Sequence, residues 1–466
     1  MLLRVKNYIF ILSIYTIFSY LTFPLKKDDQ NLTSIDSPKE FIEKKMDSNL
    51  YILVNIGSKQ DKVKAYLYMS RTELVIAGNG VKYNKYNESN SESYNCSYCK
   101  IKEFYDGFFR EVIVSNEDFY IQNDKNEINI VHKMKFILGK SSIYLNPPEG
   151  VCGLQLPQFN SETDYNLIIS LKKANGTNSY NWYLDFENFA NKEAKMVVDG
   201  FPHDLNNTKY NSEKYVQTYA IPVDNDHLKY PLWALKFSDI FYGDINMNLS
   251  QEKKIALIQF DFGMIVAPKE TQDIIEKEFF NEYYKNNICF NDSLTINNYI
   301  YCKNVKEFNV NNFKSIYFKS VDLNIIFELS YEDLFYFTND YIYFLILFRE
   351  SKWIIGEIFL KKYHLVFNQD EKTIGYYLGM EKEKEKSKNE TDTNDKNNND
   401  INKESKSEFN FIHVLLILIL LTLIIIAIIL YVKKGKRKNR ANELEDDNYE
   451  YNSPINDTQK DNKIIE

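Results

Sequence analysis

WIIGEIFLKKYHLVFN, residues 353–368, is the stretch on which the fold turns. It closes a body running from Asn49 to Leu378 in which short apolar or alternating runs recur roughly every ten residues. Working back towards the N-terminus, these are LNIIFEL at 323, SIYFKSV at 315, IALIQF at 255, INIVHKMKFIL at 128, EVIVS at 111, TELVIAG at 72, KVKAYLYM at 62 and YILVNI at 51. Helical periodicity is confined to a few places, of which Glu270 to Tyr283 is the clearest. Many short strands with sparse helices predict an all-β body. Roughly 330 residues is too much for one small sandwich, so two β lobes are expected, at 49–200 and 201–380.

Composition narrows the class. The chain has 466 residues, 44% of them hydrophobic and 26% charged, the balance of a folded protein. Its net charge of −8 argues against general nucleic-acid binding. It carries 36 Tyr and 32 Phe but only 15 Gly, so left-handed turn positions are expected to use Asn. Five Cys fit neither a disulfide-dense miniprotein nor paired zinc clusters. The five histidines, His132, His203, His227, His364 and His413, show no metal-ligand spacing, and no cofactor is expected.

The two ends do not belong to the folded body. Arg4 and Lys6 precede an apolar run from Tyr8 to Phe23 that ends at Pro24, which reads as a secretory signal over 1–24, with an uncleaved anchor as the alternative. A short segment, 25–48, follows it. Residues 411–432 read FIHVLLILILLTLIIIAIILYV, an uncharged run of the length that crosses a bilayer. Lys433, Lys434, Lys436, Arg437, Lys438 and Arg440 come straight after it and place the tail, 433–466, in the cytosol. Residues 381–410 are rich in Lys, Glu, Asn, Asp, Ser and Thr and are expected to form a disordered stalk. The expected topology is that of a type I, single-pass membrane protein of the secretory pathway or cell surface. Glycosylation triplets open at Asn31, Asn87, Asn175, Asn206, Asn248, Asn291 and Asn389, and more weakly at Asn95, where Cys96 is the middle residue.

Four landmarks in order resemble a pepsin-type aspartic protease over nearly the whole body. Trp353 to Asn368, followed by Thr373-Ile374-Gly375, is similar to that family's terminal segment, Trp-Ile-Leu-Gly-Asp-x-Phe, four residues, Tyr-x-Val-Phe-Asp and then x-x-Gly. Glu149-Gly150-Val151-Cys152-Gly153-Leu154 resembles its Asp-Gly-Ile-Leu-Gly-Leu landmark. Asn49-Leu50-Tyr51 to Ile56-Gly57 resembles its opening strand, and Trp233 to Asp244 the strand pair before the second active-site loop. The resemblance implies a bilobal pepsin-like fold and disulfides at Cys289–Cys302 and Cys96–Cys99, against the competing reading of a four-cysteine zinc site. Cys152 is then expected to be a buried free thiol.

The same resemblance fails at the chemistry. The family needs two carboxylates sharing one proton across a water, one from each Asp-Thr-Gly loop. Aligned without gaps, the first loop reads Tyr68-Met69-Ser70-Arg71, with Tyr68 at the aspartate position. A phenol with a pKa of about 10 cannot serve there as the base. In the second loop, Gln259 takes the aspartate position, Phe260 the threonine and Asp261 the glycine. A two-residue deletion instead puts Asp261-Phe262-Gly263 over Asp-Thr-Gly and retains one carboxylate. No kinase motif accompanies Asp261-Phe262-Gly263. Tyr105 in Tyr105-Asp106-Gly107-Phe108 is the nearest match to the substrate-covering flap. The expectation is a pseudoprotease that retains the scaffold and binds extended peptide without cleaving it. The alternatives are an active endopeptidase with a non-standard acid, and a structural surface protein with a plugged cleft. Arg71, on the expected cleft floor, is predicted to pair with Asp261 or Glu73.

Overall fold

The computed structural model describes residues 20–379, apart from 29–31, 33–34, 36, 83, 104–107, 124, 157–164, 187–193, 226–227 and 350. The apolar run 411–432, the stalk, the tail, most of the signal, the flap candidate Tyr105 and the triplets at Asn31 and Asn389 lie outside these residues. Among the described residues no helix is long and apolar enough to cross a membrane.

The body is mostly β, as its alternating runs predict. A 13-stranded sheet and an 8-stranded sheet carry most of it, with a 4-stranded sheet and a 2-stranded pair beside them. Nine strands matter for the site: β1 (Leu21–Lys27), β2 (Asp61–Tyr68), β3 (Leu74–Ala77), β4 (Ile128–Ser142), β5 (Gly150–Gly153), β6 (Ile255–Ile258), β7 (Ile265–Pro268), β8 (Tyr341–Arg349) and β9 (Trp353–Ile355). Two helices accompany them, α1 (Pro38–Met46) and α2 (Glu357–Lys362).

One arrangement occurs twice. In the large sheet the order is β2-β5-β3-β4, and in the 8-stranded sheet it is β6-β9-β7-β8. In the first, β5 is parallel to β2 and antiparallel to β3, while β4 is parallel to β3. In the second, β9 is parallel to β6 and antiparallel to β7, while β8 is parallel to β7. Each unit therefore joins two strands by a short loop and inserts a later strand between them. Inserted strands covered on both faces should be continuously apolar. β5 and β9 are buried along their whole length, as are β3 and β7.

A glycine passes directly beneath the loop at the end of each inserted strand: Gly153 is the last residue of β5, and Gly356 follows the last residue of β9. A Cβ on Gly153 would lie 2.6 Å from the carbonyl oxygen of Arg71 and from the amide of Glu73. On Gly356 it would lie 2.2 Å from the carbonyl oxygen of Phe262. Tyr68 pairs with Gly153, and Ile258 pairs with Ile355, the residue before Gly356. Matching the two glycines sets Tyr68 and Gln259 at corresponding positions.

Strand pairing runs across two of the boundaries expected from sequence. β1 pairs with Lys195–Val198, Leu50–Ile56 and Phe109–Asn123, and buries Leu21, Phe23 and Leu25. A division at residue 24 thus falls inside a core strand, because the alternation that makes residues 21–25 strand-like is continuous with the apolar run before it. The division at 200 is also crossed. Asn181–Asp185 pairs with Val366–Asn368, and Thr373–Tyr377 pairs with both Val366–Asn368 and Tyr215–Tyr219, so the large sheet takes its strands from both halves of the chain. Trp182 stacks on Phe367 at 4.3 Å and meets Trp233 and Phe260 edge-on, joining the halves in one core.

The scarcity of glycine is met as expected. Of the eleven non-glycine residues with positive φ among the described residues, six are Asn: Asn49, Asn126, Asn175, Asn248, Asn287 and Asn324. Asn tolerates the left-handed region better than other side chains because its short amide can hydrogen-bond locally. The predicted helix near 270–283 is present as Lys269–Ile275 and Asn281–Lys285 with a π-helical turn, Glu276–Phe280, between them. Cys289 and Cys302 face each other across a hairpin and are joined, as are Cys96 and Cys99. Cys152 is free and fully buried, and burial pushes its thiol far above the ordinary range, so it stays protonated and unreactive.

Candidate functional site

The two connecting loops, 69–73 and 259–264, meet, and Asp261 makes the junction. Its Oδ2 accepts a hydrogen bond from the Ser70 hydroxyl at 3.2 Å, and its Oδ1 accepts from the Met69 amide at 3.4 Å. Burial pushes the Asp261 carboxyl up, while hydrogen bonds from its own main chain, Met69 and Ser70, and the nearby charge of Arg71, act the other way. The net shift is upward, so the pair of loops is held by a carboxylate that gives up its charge more easily than a solvated one.

The other predicted residues divide between core and surface. Tyr68 closes β2, half-buried, with its ring 5.6 Å from that of Phe108. Met69 and Phe260 are buried in the core, Phe260 edge-on to Trp182 at 6.3 Å. Ser70 is exposed. Gln259 is half-buried, and its main-chain N–H donates to the Ile355 carbonyl at 3.2 Å, which fixes the loop to the inserted strand. Gly263 is buried beneath the chain at Lys45, where a Cβ would lie 2.2 Å from the Lys45 carbonyl oxygen.

Arg71 lies between the loop junction and two aromatic rings. Its guanidinium lies 4.7 Å over the Phe108 ring and 5.6 Å from the Tyr68 centroid. Its charge favours the ionised form of Asp261, so the predicted partnership with Asp261 takes the form of a charge interaction alongside ring stacking. The aromatic support was not foreseen. Phe108 lies some forty residues away in sequence and arrives only because β4 and Phe109–Asn123 form a long hairpin beside β3.

A second feature escaped sequence reading. Residues 46–48 lie along the second loop like a short strand: Gly263 donates to the Met46 carbonyl at 2.7 Å, Ser48 donates to the Asp261 carbonyl at 3.0 Å, and Asp47 bridges Phe262. α1 anchors this strap by stacking Phe41 on Tyr343 at 3.7 Å. Beneath it, Glu357 is buried and gathers lysines from three elements. Lys27 of β1 binds Glu357 at 2.8 Å, and Lys361 of α2 also pairs with it. Burial would push the Glu357 carboxyl up, but Lys361, Lys27 and Lys45 outweigh it and bring it down to about 2. Lys45 is lowered to about 8, by burial first and by Lys27 and Lys361 second, against the opposing pull of Glu357. Only the Glu357–Lys361 spacing of four is a local signal of this cluster; Lys27 and Lys45 come from positions far away in the chain.

Of the predicted glycosylation sites described here, Asn175, Asn206, Asn248 and Asn291 are exposed, while Asn87 is half-buried and caps a short turn through Ser89. Among the described residues no group of three or more His, Cys, Asp or Glu is placed to hold a metal ion. No family model matches the chain, and no curated protein matches it.

Proposed function

We propose that this chain is a pepsin-like pseudoprotease, a single-pass membrane protein whose body faces the secretory lumen or cell exterior and binds peptide without cleaving it. The observation that carries the reading is the correspondence of two positions: Tyr68, paired with Gly153, and Gln259, which follows the Ile258–Ile355 pair as Gly356 does on the inserted strand. Water activation in an aspartic protease requires two carboxylates that share a proton at close range. Here the single carboxylate at the loop junction, Asp261, is bound to the Met69 amide and the Ser70 hydroxyl. A phenol and an amide cannot supply the missing acid and base at acidic or neutral pH. The apolar run 411–432 and the basic residues after it support the membrane topology.

The test is incubation of the full-length protein with a peptide library between pH 3 and 7. No cleavage is expected at any pH. Cleavage that a statine-type inhibitor blocks and Asp261→Asn abolishes would establish the alternative of an active endopeptidase. That alternative draws support from one feature: the Asp261 carboxyl sits where the loops meet and is pushed upward.

A further inference from the structure

The strand Asn95–Glu103 is the outermost of the 13-stranded sheet, and it contains a Cys-x-x-Cys pair. In a regular strand residues three apart are separated by roughly 10 Å. The Cα atoms of Cys96 and Cys99 are 5.3 Å apart. The disulfide therefore gathers the strand, and the pairing with Phe109–Asn123 records the gathered length. Asn95 pairs with Asn116 and Tyr98 with Val114, so three steps on the edge strand oppose two on its neighbour. Tyr98 and Lys102 pair with Val114 and Val112, so four steps oppose two. Three residues of slack are thus stored between Asn95 and Lys102, in two bulges, each spanning one of the bonded cysteines.

We propose that Cys96–Cys99 is a redox site whose reduction releases this slack and re-registers the edge strand. Cys99 is exposed and Cys96 half-buried on a strand with one free edge, so an incoming thiolate can reach the Cys99 sulfur. Attack there forms a mixed disulfide on Cys99 and releases Cys96 as a thiolate, which takes a proton from water. A second thiol of the reductant resolves the mixed disulfide, leaving a Cys96/Cys99 dithiol and an oxidised dithiol. The co-reactant is a dithiol, either small or carried by an oxidoreductase. The other pair is built differently: Cys289 and Cys302 are both buried, 3% and 1% exposed, on directly opposed strand positions with no excess residue between them. Because a shift by an odd number of residues exchanges the two faces of a strand, releasing three residues would turn the side chains of the edge strand over.

The experiment titrates detergent-solubilised full-length protein with dithiothreitol, counts free thiols by alkylation and mass spectrometry, and follows amide exchange in the same samples. Cys96–Cys99 is expected to open at about a tenfold lower reductant concentration than Cys289–Cys302. Amide exchange over 95–103 and 109–116 is expected to change at that step while exchange in 255–268 does not. Cys96→Ser with Cys99→Ser should show the reduced pattern without reductant, with near-UV circular dichroism checking that the core is intact. Simultaneous opening of both pairs, or an unchanged exchange pattern after selective opening, overturns the proposal. If the serine variant does not fold, the wild-type titration alone decides.

Discussion

The two strand units differ where their frameworks agree. β2-β5-β3-β4 and β6-β9-β7-β8 share order, direction and the buried glycine at the end of the inserted strand, yet their loops have little in common. The first loop is polar at its tip, with exposed Ser70 and a stacked Arg71, and supplies no acid to the junction. The second supplies Asp261, is covered by residues 46–48, and has a buried charge cluster next to it. Positions fixed by main-chain clearance are alike in the two units, whereas the side chains of their loops differ, and fold by itself never establishes activity.

Removing the buried carboxylate should give the largest break between the units. Glu357→Ala leaves Lys27, Lys361 and Lys45 facing one another without their anion, and breaking a buried pair in this way costs about 3–5 kcal/mol. Chemical denaturation at pH 7 measures it. The first unit has no such cluster among the described residues, so hydrogen exchange should place the loss in the strap and second loop before the first.

Gly153→Ala and Gly356→Ala should each cost about 3 kcal/mol, the upper end for an added methyl group, because each new Cβ meets main-chain atoms that cannot rotate away. The glycines should behave alike; a neutral Gly356→Ala would show that the two frameworks are not equivalent.

The pH dependence has a defined sign. Glu357 titrates at about 2 in the folded protein against an ordinary 4.5, so its contribution is complete above pH 4.5 and is lost as pH falls from there towards 2. The difference corresponds to about 3 kcal/mol. Lys45 runs the opposite way: its folded value of about 8 lies below 10.5, so the cost of burying its charge is relieved as pH rises from 8 to 10.5. Thermal unfolding across both windows checks the two slopes, and Glu357→Gln should flatten the acidic one.

The smallest effect belongs to Asp261→Asn. An amide oxygen can still accept from Met69, and the desolvated charge disappears, so stability at pH 7 should change by less than about 1 kcal/mol. A much larger loss would mean that Asp261 holds the loops together as an ion with Arg71.

Much of this fold could be read from the chain because the signals were local. Runs such as Leu74–Ala77 and Trp353–Ile355 declare buried strands by unbroken apolarity, and Gly153 and Gly356 mark places where backbone passes backbone. The cysteine pairs were legible from spacing combined with family resemblance. The strap at 46–48 was not, since it acts through main-chain groups, which a pattern of residue types does not reveal. The support of Arg71 by Phe108 depends on hairpin geometry, which a pattern of residue types does not encode.

The large sheet has a consequence for the order in which the protein can assemble. Asn181–Asp185 takes its partner from Val366–Asn368, and that strand in turn pairs with Thr373–Tyr377, so the sheet begun by β1 waits for the final residues of the body. During synthesis, the strand 181–185 must therefore present an unpaired apolar edge for the time needed to make about 180 more residues, which at 5–20 residues per second is on the order of ten to forty seconds. Such an edge is a template for pairing with other chains. A chain truncated before residue 366 should accordingly associate with itself, and its handling by chaperones is set by the distance along the sequence between these two neighbouring strands.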